Sequence, residues 1–320
     1  MPELPEVETV VRGLRASLPG RRILSVRLGK TDFIDDPAAL ERDLPGTRIE
    51  SVERHGKFLV FRLRGADRDD GELSLLVHLG MTGQLVTRAS EAPVAPHTHV
   101  IFALDDRREL RYTDIRRFGR MRLLRTSEQE SVLGGLGLDP LEAREPEFAA
   151  VLQARRAHIK ALLLDQHVLR GMGNIYTDES LWRAKIHPRR LGANLDAREL
   201  RRLYRTVQDV LNEAIRARGS SISDYVDSEG ERGEFQLKHR VYQREGEKCV
   251  RCRNAIRRII VAGRSSYFCS HCQRAPRARN TKGSGVGRPG GKDSTQRPQR
   301  ETGEHRGNGG SQFRRGKVRK

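Results

Sequence analysis

Cysteine is missing from the first 248 residues of this 320-residue chain, and all four cysteines lie between 249 and 272. A secreted, disulfide-stapled protein scatters its cysteines. The single cluster argues against that class and for a metal site in a reducing compartment. Long apolar runs are missing too, and nothing approaches the ~18 residues that a membrane span needs. The N-terminus has no basic segment followed by an apolar stretch, so no secretory signal is expected. Acidic residues are in deficit: 42 Asp and Glu face 61 Lys and Arg, a net charge of +19. Such an excess favours a polyanion as partner, either nucleic acid or an anionic membrane surface. A soluble, cytoplasmic, nucleic-acid-binding protein is the combined expectation.

The first ten residues, MPELPEVETV, run against that charge. Residues 3–17 have helical character: Pro5 suits a first turn, Glu6 and Glu8 favour its positive end, and Val7, Val10, Val11 and Leu14 recur at helical spacing. From about 22 to 125, ILSVRL, TRIESVERH, KFLVFRLR, LSLLVHLG, HVIFAL, ELRYT and GRMRLLR are short runs separated by polar segments. That pattern predicts an antiparallel sandwich or barrel-like domain. Residues 134–147 read as a linker and 147–218 as helices. The longest helix is capped by Asp196 and ended by Gly219. Residues 219–236 read as a mobile loop. Residues 276–320 carry 13 Lys and Arg against 3 Asp and Glu with few apolar residues. A disordered basic tail is expected there, either a solvated appendage or a source of nonspecific phosphate attraction.

Cys249, Cys252, Cys269 and Cys272 form two CxxC turns around a hairpin-length segment. That spacing sets four thiolates tetrahedrally around one structural Zn²⁺ with no open position. His271 is surplus to it and reads as a surface residue. Arg264, at the hairpin tip, reads as a solvated turn arginine or as a residue entering a nucleic-acid groove. HLGMTG (78–83) ends a strand in a turn presenting Met81, which alone reads as core packing. YTDIRRFG (112–119) carries Arg116, Arg117 and Phe118, either a capped turn with a core Phe or a wedge that fills a vacated base stack. GMGNIYTDES (171–180) is a Gly-rich helix start whose amides suit a phosphate, with Asn174 as a further donor or an N-cap. Lys57, in HGKFLV, reads as a phosphate anchor or a solvated strand residue.

Taken together, PELPEVETVVRGL, HGKFL, HLGMTG, RYTDIRRFG, IKALLLDQ, GMGNIYTDESLW followed by IHP, and the final CxxC hairpin closely resemble the bacterial formamidopyrimidine-DNA glycosylases, in family order over roughly residues 1–273. The resemblance implies an α+β multidomain fold. An N-terminal β-sandwich with its N-terminal helix (1–133) and a linker (134–147) precede a helical helix–two-turns–helix domain (148–240). A zinc-finger β-hairpin (241–275) and the tail (276–320) follow. It implies a bifunctional glycosylase and abasic-site lyase that removes oxidised purines from damaged duplex DNA as a cytoplasmic, nucleoid-associated bacterial monomer, with no membrane partner.

The resemblance also assigns roles. After removal of Met1, Pro2 is a secondary α-amine that attacks C1′, and its iminium permits β- and δ-elimination. Glu3 protonates the sugar ring oxygen, and Glu6 tunes or positions the site. Lys57 and Arg264 donate protons in the β- and δ-elimination steps and, with Asn174, hold phosphates. Met81, Arg116 and Phe118 fill the void and meet the orphaned base. His97 and Lys160 contact DNA, and the 219–236 loop closes over the extruded base. Two rivals stand: an endonuclease VIII-like enzyme for oxidised pyrimidines, and a non-catalytic zinc-hairpin DNA-binding protein with no need of Pro2-Glu3.

Overall fold

The computed structural model describes residues 1–65, 72–222 and 224–276. The expected tail lies outside these residues beyond Pro276. The chain opens with helix α1 (Leu4–Ser17), whose Glu6 carboxylate accepts the backbone N–H of Glu3 at 2.8 Å. That contact satisfies one of the donors a helix start leaves free.

The strands follow. They are β1 (Ile23–Leu28), β2 (Arg48–His55), β3 (Phe58–Arg64), β4 (Glu72–His78), β5 (Gln84–Ala89), β6 (Thr98–Leu104), β7 (Arg108–Thr113) and β8 (Arg120–Arg125). They form two antiparallel four-stranded sheets, ordered β2-β3-β4-β8 and β1-β6-β7-β5. Phe61 stands opposite Val52 and Leu75 in the first sheet, and Phe102 opposite Leu110 in the second. These residues share one core with Val7, Val10, Val11 and Leu14 of α1. Period-2 alternation therefore buries one face of each sheet, and the helical face of α1 closes the sandwich.

A helix at Pro37–Asp43, strand β5 and a short helix at Gln129–Leu133 escape the sequence reading. Helix α2 (Pro37–Asp43) buries only Leu40, so no periodicity announces it; Asp36 caps it through Ala39 N, with Pro37 in the first turn. Strand β5 begins directly after the 78–83 turn and has only two fully buried residues, Leu85 and Val86.

Helices α3 (Gln129–Leu133), α4 (Glu145–Gln153), α5 (Ile159–Leu164), α6 (Asn174–Ala184) and α7 (Ala197–Arg216) follow. The last four surround a second core that also takes Leu4 from the first turn of α1. One helix thus belongs to two cores, fixing the residues before it at their junction. A hairpin of β9 (Ile256–Val261) and β10 (Arg264–Cys269) completes the fold.

The segment read as a linker is pinned in place. Gly137 N donates to Gln166 O at 2.9 Å, and buried Asp139 accepts from Arg54 at 2.7 Å. Arg54 also donates to Glu8 of α1 at 2.7 Å, and the Arg170 guanidinium lies 3.5 Å from Asp139. Removing Asp139 leaves the buried Arg54 guanidinium and the half-buried Arg170 short of a partner, although Arg54 keeps Glu8 and Arg170 keeps Glu142 at 3.6 Å. Asp139→Ala is therefore expected to cost about 3 kcal/mol, the low end for breaking a buried pair. Urea unfolding measures it, and a loss below about 1 kcal/mol would show that the network carries no stability. The 219–236 segment, expected to be mobile, is also fastened at both flanks: Ser220 N donates to Glu6, Thr87 N to Ser228 O at 3.0 Å, and Glu234 N to Ala217 O at 2.8 Å.

Candidate active site and metal centre

The Gly-rich start of α6 does not hold a free phosphate cradle. Its amides are taken by the protein's own carboxylate: Ile175 N and Tyr176 N donate to Glu3 at 3.1 and 3.4 Å. The glycines are there because α1 comes so close. A Cβ on Gly173 would lie 2.2 Å from the Glu3 carboxyl carbon, and Gly171, at φ +91°, gives its carbonyl to Leu4 N at 2.9 Å. The sequence reading of this turn as a phosphate site is corrected accordingly. Anion attraction at a helix start is real here, but the anion is Glu3.

Pro2 is buried beside this contact, and Met1 is 48% exposed. A cavity of about 30 Å³, room for one water, is lined by Pro2, Glu6, Met81, Ile175, Ser220 and Tyr225. Burial raises the Glu3 pKa above its ordinary value; Lys57 and the two α6 amides restrain the rise. Burial and the neighbouring Glu3 push Glu6 up to about 7, against hydrogen bonds from Tyr176, Ser220 N and Glu3 N. Lys57 stands in the β2–β3 turn. Burial lowers its pKa, opposed by Glu3 and Glu6, and Arg264 adds to the lowering. Lys57 is only 9% exposed, so the alternative of a solvated strand residue is excluded. Two carboxyls drawn toward their protonated forms and a lysine drawn toward its neutral form share this site next to Pro2. Shifted acids and bases of this kind are what proton transfer near neutrality requires.

The turns at 78–83 and 112–119 lock together. Gly80, at φ +61°, admits no side chain because a Cβ would lie 2.4 Å from Gly119 N. Asp114, which the sequence reading passed over, organises the pair. Its buried carboxylate accepts from Thr82 Oγ1 at 2.5 Å, Tyr112 Oη at 3.0 Å, Gly119 N at 2.9 Å and Arg116 N at 3.2 Å. That scaffold leaves Met81 and Phe118 exposed, at 39% and 52%, with the Arg116 guanidinium 4.4 Å over the Phe118 ring. The core-packing readings of Met81 and Phe118 are thereby overturned. His97 is exposed, and its carbonyl accepts Asp114 N at 3.1 Å, placing it beside the same turn.

Lys160 does not reach the surface. Its ammonium donates to Asp178 Oδ1 and Ser265 O, each at 2.7 Å, and the residue is fully buried. The expectation of a DNA contact is replaced by a structural tie, because the ammonium is fully buried, with two of its three donors on Asp178 and Ser265, and does not reach a phosphate on the surface. Asn174 sends its Nδ2 to the same carbonyl at 3.0 Å, and Tyr267 N donates to Asp178 Oδ2 at 2.9 Å. Asp178 and Lys160 thus clamp β10 onto α6 and set the position of exposed Arg264. Next along α6, buried Glu179 accepts the N–H groups of Arg240, Val241 and Tyr242, fixing the entry to the hairpin. Four consecutive polar residues, Thr177 to Ser180, are buried on this one helix. A helix polar in mid-sequence yet flanked by Tyr176, Leu181 and Trp182 is the signal that could have revealed them.

The four cysteine sulfurs lie within 4.8 Å of one another, and none is in a disulfide. A tetrahedral set of thiolates with all four positions filled is a structural zinc site. His271 is exposed and lies outside this set.

A two-layer sandwich and a helical bundle meeting at a buried Pro-Glu, with a four-cysteine hairpin beyond, define the zinc-hairpin class of DNA glycosylases. Family profiles described as "Formamidopyrimidine-DNA glycosylase N-terminal domain", "Formamidopyrimidine-DNA glycosylase H2TH domain" and "Zinc finger found in FPG and IleRS" match residues 1–121, 136–226 and 246–275. The chain belongs to the formamidopyrimidine-DNA glycosylase family. The Solibacter usitatus protein of that name is 46% identical over 276 residues, covering 86% of this chain and all of the relative. A complex of Lactococcus lactis Fpg with abasic-site DNA aligns with TM-score 0.76 and 34% identity over 85% of this chain and 100% of that one. A complex of MutM with DNA containing carbocyclic 8-oxo-G aligns with TM-score 0.77 and 35% identity over 86% and 100%.

Proposed function

We propose that Pro2, Glu3, Glu6, Lys57 and Arg264 carry out base excision and strand cleavage in this family member. The protein is a base-excision repair glycosylase and abasic-site lyase for oxidised purines. Its partner is damaged duplex DNA, bound by one copy of the chain. Among the described residues no helix is long and apolar enough to cross a membrane, and we assign the protein to the bacterial cytoplasm, at the nucleoid.

With Met1 removed, the Pro2 secondary amine attacks C1′, the base leaves with the bonding pair, and the proton released from the nitrogen goes to the departing base. Glu3 hands its proton to the ring oxygen as the sugar opens, leaving a cationic iminium. That cation draws the electrons of a neighbouring C–H bond, whose proton passes to water at each step, and elimination expels first one phosphate and then the other. Lys57 and Arg264 supply protons to these steps. Met81, Arg116 and Phe118 occupy the space the flipped nucleotide leaves, while His97 and Asn174 steady the strand beside it. One observation carries the reading: a buried Glu3 whose pKa is raised by burial, adjoining Pro2 and facing Lys57.

Single-turnover excision tests it. A duplex with 8-oxoguanine opposite cytosine should be processed at least about tenfold faster than one with thymine glycol, a gap of about 1.4 kcal/mol in transition-state binding. The reverse order would favour an endonuclease VIII-like specificity. Absence of any borohydride-trapped adduct would favour a non-catalytic binding protein.

A further inference from the structure

A line of buried polar side chains leads away from Glu6. The Tyr176 hydroxyl donates to Glu6 Oε1 and lies 3.5 Å from Ser220 Oγ, which lies 3.2 Å from His239 Nε2. All four residues are under 9% exposed. Ser220 is also tied to Glu6 by its backbone, N to Oε1 at 2.7 Å. His239 sits at the far end, its ring against Phe235 and Tyr242 and its carbonyl accepting from Arg244 at 3.0 Å.

We propose that Tyr176, Ser220 and His239 form a reversible hydrogen-bond relay that reads the protonation state of Glu6 and transmits it to the 219–236 segment, with His239 as its distal positioning residue. This rests on the active-site reading above. The relay has two self-consistent directions. With Glu6 ionised, Tyr176 donates to Glu6, and Ser220 is free to donate back to the Tyr176 oxygen. With Glu6 protonated, its hydroxyl donates to Tyr176, Tyr176 donates to Ser220, and Ser220 donates to His239 Nε2. Each hydroxyl keeps one donor in both states, so no proton is created or lost along the chain. The second direction needs an acceptor at its end, and burial together with Arg244 lowers His239 to about 4, so the imidazole stays neutral.

Other groups face Glu6. Glu3 accepts the Ile175 and Tyr176 amides, donates its own N–H to Glu6 at 2.8 Å and raises Glu6 by its charge, Lys57 approaches from the β2–β3 turn, and Tyr225 donates to the Glu6 carbonyl at 3.2 Å. Burial holds Tyr225 protonated well above the ordinary tyrosine range. Removing the Tyr176 hydroxyl takes a donor away from ionised Glu6 and favours its protonated form. The excision limb governed by Glu6, near 7 in the parent protein, then moves to higher pH.

The test is single-turnover excision of 8-oxoguanine from duplex DNA across a pH series from about 5 to about 9. Tyr176→Phe should shift that limb upward by about one pH unit. His239→Phe, which keeps the ring packing, removes the acceptor that only the protonated direction needs and should shift the limb downward, by less than about one unit. Ser220→Ala, which keeps the backbone N–H to Glu6, should resemble His239→Phe. Thermal midpoints establish that each variant folds, and if Tyr176→Phe does not, the other two decide the matter. Profiles of His239→Phe and Ser220→Ala that superimpose on the parent would overturn the relay. Failure of the active-site reading would look different: the unmodified protein would give no borohydride-trapped adduct on abasic DNA at any pH.

Discussion

A single uncleavable residue joined to the nitrogen of Pro2 abolishes the borohydride-trapped adduct and lowers strand cleavage by about a thousandfold or more, the scale on which losing a nucleophile is felt. Binding to the same duplex persists. The chemistry is that of one nitrogen. As a free secondary amine it has a reference pKa near 8, so about a tenth is neutral and nucleophilic at pH 7. Joined to a preceding residue it is an amide, whose lone pair is delocalised and which cannot form an iminium. The fold does not resist the extension. With Met1 in place, Met1 is half exposed while Glu3 still reaches the α6 amides and Glu6 still accepts Glu3 N. The extended protein therefore keeps its acid, its lysine and its exposed wedge, and loses only the attacking atom. Full cleavage by that protein, verified by sequencing its N-terminus, would remove Pro2 from the mechanism.

Much of the sandwich was legible in the sequence because a sheet with one buried face writes its period directly into the chain. Val52, Phe61, Leu75 and Phe102 all fall inside the runs that predicted strands. Helix α7 was legible for the same reason, down to its Asp196 cap. The site was legible only in its exposed or reactive members. Pro2 and Glu3 gained meaning from the family resemblance, and the four cysteines from their spacing. The residues that hold these in place were not visible. Asp114, Asp178 and Glu179 act through partners 32, 18 or more than 60 residues away, and local patterning does not record such contacts. Lys160 and the α6 amides erred in the opposite direction. Their types suit phosphate, yet the fold had already given them internal partners, Asp178 and Glu3. A basic residue or a helix start signals affinity for an anion, and only the tertiary fold decides which anion reaches it.

Cys249→Ser is expected to release zinc and DNA affinity together. The hairpin has little else to hold it: its core consists of Trp182, Val241, Cys249, Ile256 and Cys269, so two of the five buried residues are metal ligands. Structural zinc contributes about 10–16 kcal/mol of apparent binding free energy in small finger domains, against the ~5–15 kcal/mol that holds a whole domain folded. Three sulfurs and a serine oxygen cannot replace four thiolates for a metal that prefers sulfur. Once the metal leaves, Ser265 O no longer receives Lys160 and Asn174, Tyr267 N leaves Asp178, and Arg264 loses its fixed place near Lys57. Losing one or two positioned arginine contacts weakens duplex binding by about 10- to 100-fold, and each lost phosphate contact lowers the log–log salt slope by about 0.9. Far-ultraviolet circular dichroism should change little, because the sandwich and the α4–α7 bundle keep their own cores. Elemental analysis of the parent protein should find one zinc per chain, and equilibrium titration at two salt concentrations should show the reduced slope in the variant. A fully active parent preparation without zinc would refute the metal assignment. A zinc-free variant that bound DNA with the parent's affinity and slope would instead show that the hairpin contributes no contact to the duplex.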